Sequence, residues 1–557
     1  MIRGARGFKA NGQVINASAR QLFAAAALLG GMALSAAPAM AQSQITTCDN
    51  EGIGSVTLSE GTIEDVSTQS TGNVPYCLVK VLVPQAIHIW VGLPMDGTWI
   101  GRWQSVGGGG YVGSVSAPTG ALAAGYAGAA TDTGHMGGDG SFGMLEPGVP
   151  NIPLQIDFAY RSEHLMAVLG KELVQAFYGQ PPLYSYWNGC STGGRQGLRM
   201  AQEFPDDYDG ILAGAPAINW DRFINAEIWP QVVQLRDNGG PIGGGDPATH
   251  TAKGNLAISR AIAACDALDG VVDGLLTDPR MCPYSAWADL AITHPDCTPS
   301  DPTCLTPTEA TAIDKIWQGP VSCARGGGAC RVPNVATRNL EGRRNKRLWY
   351  PLTRGAALDG LGGVVPFSIA TAQGKYWVYF DPNWDWQTLD YPNYLQFFRD
   401  TVDNVGPIMA SDNPNLARFR DRGSKVLIWH GFADQLIMPG GTIEYYNRVK
   451  RELGGGYAQT QTFARLFLAP GVGHCGGGVG PQPQGLLDAV VNWVENGQAP
   501  ERILSSNPIP GGTRTRPLCP YPKFAVYTGH GSTDDEANFV CRRLQHEGEN
   551  EGEDQDD

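Results

Sequence analysis

Short apolar runs that end in glycine, each followed by polar and apolar positions at helical spacing, mark both flanks of this chain. Leu183 to Asn188 is aromatic-rich and predicts a strand, and the positions from Arg195 to Phe204 recur as on one face of a helix. Lys425-Val-Leu-Ile-Trp-His430 and Ala464-Arg-Leu-Phe-Leu-Ala-Pro470 predict two further buried parallel strands, each running into a glycine-bearing turn. Another apolar strand precedes the glycine run after Val106. Between Pro216 and about Ala410 the pattern breaks into Gly, Pro, Cys, Trp and short helical fragments without strand–helix alternation. An α/β fold carrying a large insertion follows, with 42–215 and 411–546 as the two parts of its core and 216–410 as the insertion.

The ends of the chain read differently. Arg3, Arg6, Lys9 and Arg20 precede an apolar stretch from Leu22 to Ala37 and the small-residue site Ala39-Met40-Ala41. This predicts a signal peptide over 1–41 and a mature chain from Gln42, with an uncleaved anchor as the alternative. No later stretch reaches the roughly 18 apolar residues that span a bilayer. Residues 547–557 hold seven acids and no base, which predicts a solvated acidic tail, with docking to a basic partner as the alternative.

Composition narrows the class. Of 557 residues 42% are hydrophobic and 17% charged, which is globular. Lys plus Arg total 40 against 54 Asp plus Glu, a net charge of −14, so there is no basic footprint for nucleic acid. The twelve cysteines, an even number beyond the leader, predict disulfides in an oxidising compartment. Neighbours in sequence pair as Cys48 with Cys77, Cys265 with Cys282, Cys297 with Cys304, Cys323 with Cys330 and Cys519 with Cys541. Cys190 and Cys475 remain.

The strand at Leu183 runs into Gly189-Cys190-Ser191-Thr192-Gly193, a G-x-S-x-G between strand and helix. A sharp turn there lifts a serine hydroxyl clear of the backbone and aims the helix N-terminus at developing negative charge. Its base and orienter are expected at the ends of later strands, in the order Ser, Asp, His. Six histidines lie beyond Ser191. His250 and His294 fall in the irregular insertion, and His530 and His546 near the C-terminus. His474 sits on the glycine-flanked loop after the strand at Ala464 and is the candidate base. Asp434, in the turn after His430, is the candidate orienter, and His430 reads as a core or pocket-wall histidine because one base suffices. If Ser191 and His474 meet, Cys190 and Cys475 come within bonding reach. The glycine run 107–110 offers one oxyanion donor and the Thr192 amide the other. Within the insertion, Asp266, Asp269 and Asp273 with two glycines make an oxygen-rich loop suited to Ca²⁺, to which the carbonyls of Val271 and Leu275 can add; a solvated turn fits as well.

Gly-Cys-Ser191-Thr-Gly-Gly-Arg, Trp-His-Gly-Phe-Ala-Asp434 and Pro-Gly-Val-Gly-His474-Cys475, together with Phe204-Pro-Asp-Asp-Tyr-Asp-Gly-Ile-Leu-Ala-Gly-Ala-Pro216, resemble the tannase and feruloyl esterase family. The resemblance implies an α/β-hydrolase with a lid domain over 216–410, Ser191, Asp434 and His474 as triad, and Gly110 with Thr192 as oxyanion donors, neighbouring glycines being able to replace Gly110. It also implies a disulfide between Cys190 and Cys475 and a structural calcium at Asp266, Asp269, Val271, Asp273 and Leu275. The activity implied is hydrolysis of small aromatic-acid esters, hydroxycinnamates first and terephthalate monoesters as the alternative. A serine peptidase or a non-catalytic binder of phenolic ligands is the more distant expectation.

Overall fold

The computed structural model describes residues 47–322 and 346–544. The leader, the Cys323–Cys330 pair and the acidic tail lie outside the described residues. A nine-stranded mixed sheet organises the chain. Its strands are β1 (Thr62–Thr71), β2 (Val74–Val83), β3 (Ile87–Pro94), β4 (Arg102–Val106), β5 (Ala127–Thr131), β6 (Tyr184–Cys190), β7 (Gly210–Gly214), β8 (Lys425–Gly431) and β9 (Ala464–Ala469). They lie in the order β1-β2-β3-β5-β4-β6-β7-β8-β9. Pairings up to β3–β5 are antiparallel and every later one is parallel.

Composition explains that division. β1 is rich in Thr, Ser and acidic residues and lies half-exposed as a polar edge. β7 and β9 are buried at every position, which is why both read as apolar runs rather than as alternation, interrupted in β9 only by Arg465. On one face α1 (Ser162–Tyr178) turns Leu165, Leu169 and Leu173 into a core shared with Trp103, Trp187 and, from α2 (Thr192–Glu203), Leu198.

The segment that breaks the strand–helix pattern builds α3 (Trp220–Val233), α4 (Pro247–Cys265), α5 (Pro307–Ile316) and α6 (Tyr391–Met409) around a second apolar core. Thr306 and Glu309 form a capping box at the start of α5, and Glu309 also pairs with Lys253 at 2.7 Å with both side chains fully buried. Beyond it, α7 (Pro439–Leu453) follows β8, and α8 (Leu486–Asn496) covers the opposite sheet face with Val490 and Trp493. The chain finishes in hairpins the sequence pattern does not announce: β10 (Ile503–Ile509) with β11 (Gly512–Leu518), and β12 (Lys523–Tyr527) with β13 (Phe539–Arg543). The pairs Cys48–Cys77, Cys265–Cys282, Cys297–Cys304 and Cys519–Cys541 form as their spacing predicts.

Buried polar groups tie α2 to α1 and to the turn just before it. Arg195 donates to the carbonyls of Phe158 and Ala159 at 2.9 Å each, and Gln196 Nε2 donates to Glu163. Burial pushes the Glu163 carboxyl up to about 7 from 4.5, against the pull of the Arg195 charge. Folded Glu163 therefore keeps a proton that the unfolded chain has lost. Its contribution to stability is full below pH 4.5 and falls away as the pH rises to about 7. Glu163→Gln is expected to melt progressively higher than the parent across that interval, by about 3 kcal/mol at its upper end, and to hold the difference above it. Melting curves of both proteins from pH 4 to 8 check this; a difference independent of pH contradicts it.

Candidate active site

Because β6, β7, β8 and β9 are parallel and paired in register, their C-terminal ends fall on one edge: Cys190 lies beside Gly214, Gly214 beside Trp429, and Gly431 beside Ala469. Every residue singled out for nucleophilic chemistry leaves the sheet at that edge.

Ser191 caps α2 with φ 63° and ψ −124°, a left-handed backbone that a residue with a side chain adopts only when held there. Its amide donates to Gly214 O at 3.0 Å, and its carbonyl accepts from Arg195 at 3.1 Å and Ala217 at 3.0 Å. Glycine is required beside it. A Cβ on Gly107 would lie 2.6 Å from Gly193 Cα, so the glycine run rests directly on the elbow. Within that run the Gly107 amide is taken by Asn188 O at 3.0 Å and the Gly108 amide by Gln196 Oε1 at 3.1 Å. Thr192 Oγ1 donates to Gly110 O at 2.7 Å, which fixes Gly110 against the first turn of α2.

Asp434 is fully buried at the start of the turn after β8. Its Oδ1 accepts from the amides of Leu436 and Ile437 at 2.8 Å each, and its Oδ2 accepts from His474 Nδ1 at 2.8 Å and His430 Nε2 at 3.0 Å. Burial pushes this carboxyl up, but the hydrogen bonds and charges of the two histidines outweigh it and hold the group well below the ordinary carboxylate range. With Nδ1 of His474 donating to Asp434, its Nε2 is the nitrogen left to act as a base. The His474 amide donates to Gln435 Oε1 at 3.1 Å, which anchors the glycine-rich loop that carries it.

Cys190 and Cys475 form a disulfide with their Cα atoms 5.9 Å apart, so Ser191 and His474, their immediate chain neighbours, belong to one neighbourhood. The bond from Ser191 Oγ to His474 Nε2 is not formed here; such contacts are often long in a free enzyme and tighten around substrate. The arrangement offers a hydroxyl at a helix N-terminus, a base whose far nitrogen is held by a buried carboxylate, and unshielded amides alongside.

Comparison with known proteins agrees with that geometry. Residues 74–542 match the tannase and feruloyl esterase family. The chain belongs to that family. It is 36% identical over 476 residues to a probable feruloyl esterase of Arthroderma benhamiae, covering 82% of each chain. To the mono(2-hydroxyethyl) terephthalate hydrolase of Piscinibacter sakaiensis it is 32% identical over 507 residues, 81% of this chain and 80% of that one. The crystal structure of feruloyl esterase B from Aspergillus oryzae superposes with a TM-score of 0.74 at 27% identity, covering 87% of this chain and 98% of that one.

In this tannase and feruloyl esterase family member the acidic loop lies apart from the serine. Asp266 accepts from the amides of Asp273 at 3.2 Å and Gly274 at 2.9 Å, Asp269 from Val271 at 3.0 Å, and Asp273 from Leu275 at 3.1 Å. A small cleft opens between the loop and the C-terminal hairpins, and Asp269, Val271, Asp273 and Leu275 all line it; Ser191 and His474 do not. Asp273 pairs there with Arg516. Burial, with the charge of Asp273 added, pushes the Asp269 carboxyl up. Among the described residues no three acidic, histidine or cysteine side chains converge tightly enough to hold a metal ion alone. The donor set therefore fits a hard cation such as Ca²⁺ only if main-chain oxygens complete the shell.

Three residues that hold this site escaped the sequence reading of their roles: His430, Gln435 and Gln196. The four-residue spacing of His430 and Asp434 across a strand end was the available signal for the first; nothing in the chain pattern marks either glutamine.

A disulfide closing 285 residues stabilises by roughly 5 kcal/mol at most in the chain-entropy account. Replacing Cys190 and Cys475 together by Ala is expected to lower both Tm and kcat, since the bridge joins the loops of Ser191 and His474. Unchanged melting and turnover in the double variant contradict that coupling.

Proposed function

We propose that this chain is a secreted serine carboxylic-ester hydrolase that cleaves esters of aromatic acids through an acyl-enzyme. The observation that carries the reading is the Asp434–His474 hydrogen bond held by disulfide beside a strained serine elbow. His474 Nε2 takes the Ser191 proton as Oγ attacks the ester carbonyl carbon. Asp434 steadies the imidazolium that results, and the amides of Gly110 and Thr192 receive the oxyanion. His474 then returns the proton to the departing alkoxide. Water, deprotonated by the same nitrogen, releases the acid and restores Ser191. Since the amides of Gly107 and Gly108 are committed elsewhere, Gly109 and Gly110 are the glycines of the run left to donate, and Gly110 is the one tied to the first turn of α2 through Thr192.

The strand order from β3 onward, with β5 and β4 exchanged ahead of a parallel series, supports an α/β-hydrolase core split as 42–215 and 411–546. Residues 216–410 then act as a lid. A Cβ on Gly110 would lie 3.5 Å from Ile369 Cδ1, so the insertion reaches the oxyanion loop, and Tyr111 OH donates to Gln373 Oε1 at 2.8 Å from the same run. The disulfides and the basic, then apolar, leader support export, periplasmic or extracellular, and no helix among the described residues is long and apolar enough to cross a membrane. Relatives named as feruloyl esterases put hydroxycinnamate esters first. The named terephthalate monoester hydrolase makes such monoesters the second reading, since both substrates present an aromatic acyl group to the same serine.

Ser191→Ala is expected to abolish turnover while leaving ligand affinity nearly intact, and Asp434→Asn to cost about 10⁴ in kcat. Because Asp434 is held well below the ordinary carboxylate range, its protonation is expected to cause no loss of kcat/KM across that range. Ranking methyl ferulate, methyl gallate and mono(2-hydroxyethyl) terephthalate by kcat/KM assigns the acyl group. Activity near the parent in Ser191→Ala removes the nucleophile assignment.

A structural Ca²⁺ at Asp266, Asp269, Asp273 and the carbonyls of Val271 and Leu275 is part of the same proposal. Bound there it would offset two of the three carboxylate charges, Arg516 pairing with Asp273, and brace the insertion against the C-terminal hairpins, and no step of the hydrolysis passes through it. Chelation by EGTA is expected to lower Tm by several degrees, with recovery on adding Ca²⁺ and no response in Asp269→Asn. A Tm indifferent to both reagents removes the metal.

A further inference from the structure

Asp434 Oδ2 has two histidine donors, whereas orienting a single base calls for one. His430 is the second, and its environment is built rather than incidental. It is fully buried on β8, one residue before the strand ends. Its Nε2 faces two acceptors, Asp434 Oδ2 and Ile437 O, each at 3.0 Å, so the hydrogen-bond network assigns a proton to that nitrogen. Its Nδ1 faces Thr442 Oγ1 at 2.8 Å, from the first turn of α7. A relay results: the Thr442 hydroxyl against Nδ1, Nε2–H onto Asp434 Oδ2, and His474 Nδ1–H onto the same oxygen. Among titratable groups, Asp434 and His474 face this relay from the loops, and Glu227 faces Asp434 from α3; burial, reinforced by the Asp434 charge, pushes the Glu227 carboxyl well up toward its neutral form.

We propose that His430, oriented by Thr442, is a positioning residue that sets the direction and the acceptor strength of Asp434 Oδ2 toward His474. The inference rests on the reading above that Asp434 orients the base. Two consequences separate it from a purely structural role. An oxygen shared between two donors binds each less strongly than one serving a single donor, so the second donor moderates the hold of Asp434 on protonated His474. It also blocks rotation of the carboxylate about its side-chain bond, and with it the swing of the His474 ring.

Removing the donor with His430→Leu is expected to lower kcat by about 10- to 100-fold with little change in KM, the scale of a small misplacement of a reacting group. It is also expected to move the acid limb of kcat/KM to higher pH by about half a unit or more, because His474 then holds its proton against an undivided carboxylate. His430→Gln, which keeps an N–H donor, is expected to bring the limb back to its parental position. Thr442→Val weakens the relay without removing the histidine and is expected to shift the limb the same way by less. A folded His430→Leu enzyme with its limb unmoved overturns the proposal, whatever its kcat. Should that variant not fold, an unmoved limb in Thr442→Val overturns it equally. Full activity in Ser191→Ala instead strikes the triad reading, so the two failures are distinguishable.

Discussion

A carboxylate removed from water must be given donors by the protein, and at Asp434 that requirement organises the whole active edge. Its charge is held by two main-chain amides from its own turn and by two imidazoles from β8 and the 471–478 loop. Each of these donors offsets part of the burial that by itself would push the carboxyl toward its neutral form. The turn after β8 must therefore close tightly enough to fold its amides back onto Oδ1. The 471–478 loop must come close enough to deliver His474, and α7 must begin where Thr442 meets His430. Much of the local geometry follows from satisfying one charge.

The sheet supplies the other half of that condition. Parallel strands in register put successive strand ends side by side, so residues nearly 300 positions apart leave from one edge without any special device. What register does not fix is the last few ångströms across the loops. There the Cys190–Cys475 bridge acts, joining the residue before Ser191 to the residue after His474. The bridge and the buried carboxylate constrain different things: one limits the separation of two loops, the other the angle of a ring. A serine held in a left-handed backbone lies where the two constraints meet.

How much of this was legible in the chain follows from what each residue contributes. Ser191, Asp434 and His474 could be singled out because each closely follows an apolar run that a parallel strand requires, and the strands β6, β8 and β9 stand where those runs lie. The neighbour disulfides followed from spacing. The relay through His430 was not legible, since a histidine inside an apolar run reads as core until the turn after it is known to fold back. The holding of Gly108 by Gln196 and of the His474 amide by Gln435 is equally silent, because those contacts join segments with no periodic relation. The antiparallel edge at β1 and β2 and the closing hairpins carry weak alternation and few turn signals, so only pairing in space reveals them.

The placement of the second core bears on how such an enzyme changes substrate. The residues singled out for chemistry sit at strand ends whose positions the sheet dictates, and a change there disturbs the buried charge. The insertion packs around an apolar core that also takes in Tyr111, Phe142 and Phe158 from before it, and it meets the glycine run through side chains, Ile369 beside Gly110 and Gln373 bonded to Tyr111. Replacing those side chains alters the shape above the serine without touching Asp434, His474 or the bridge. Relatives named for feruloyl esters and for a terephthalate monoester are each about a third identical to this chain over about four fifths of its length, so a difference in named substrate goes with no difference of family.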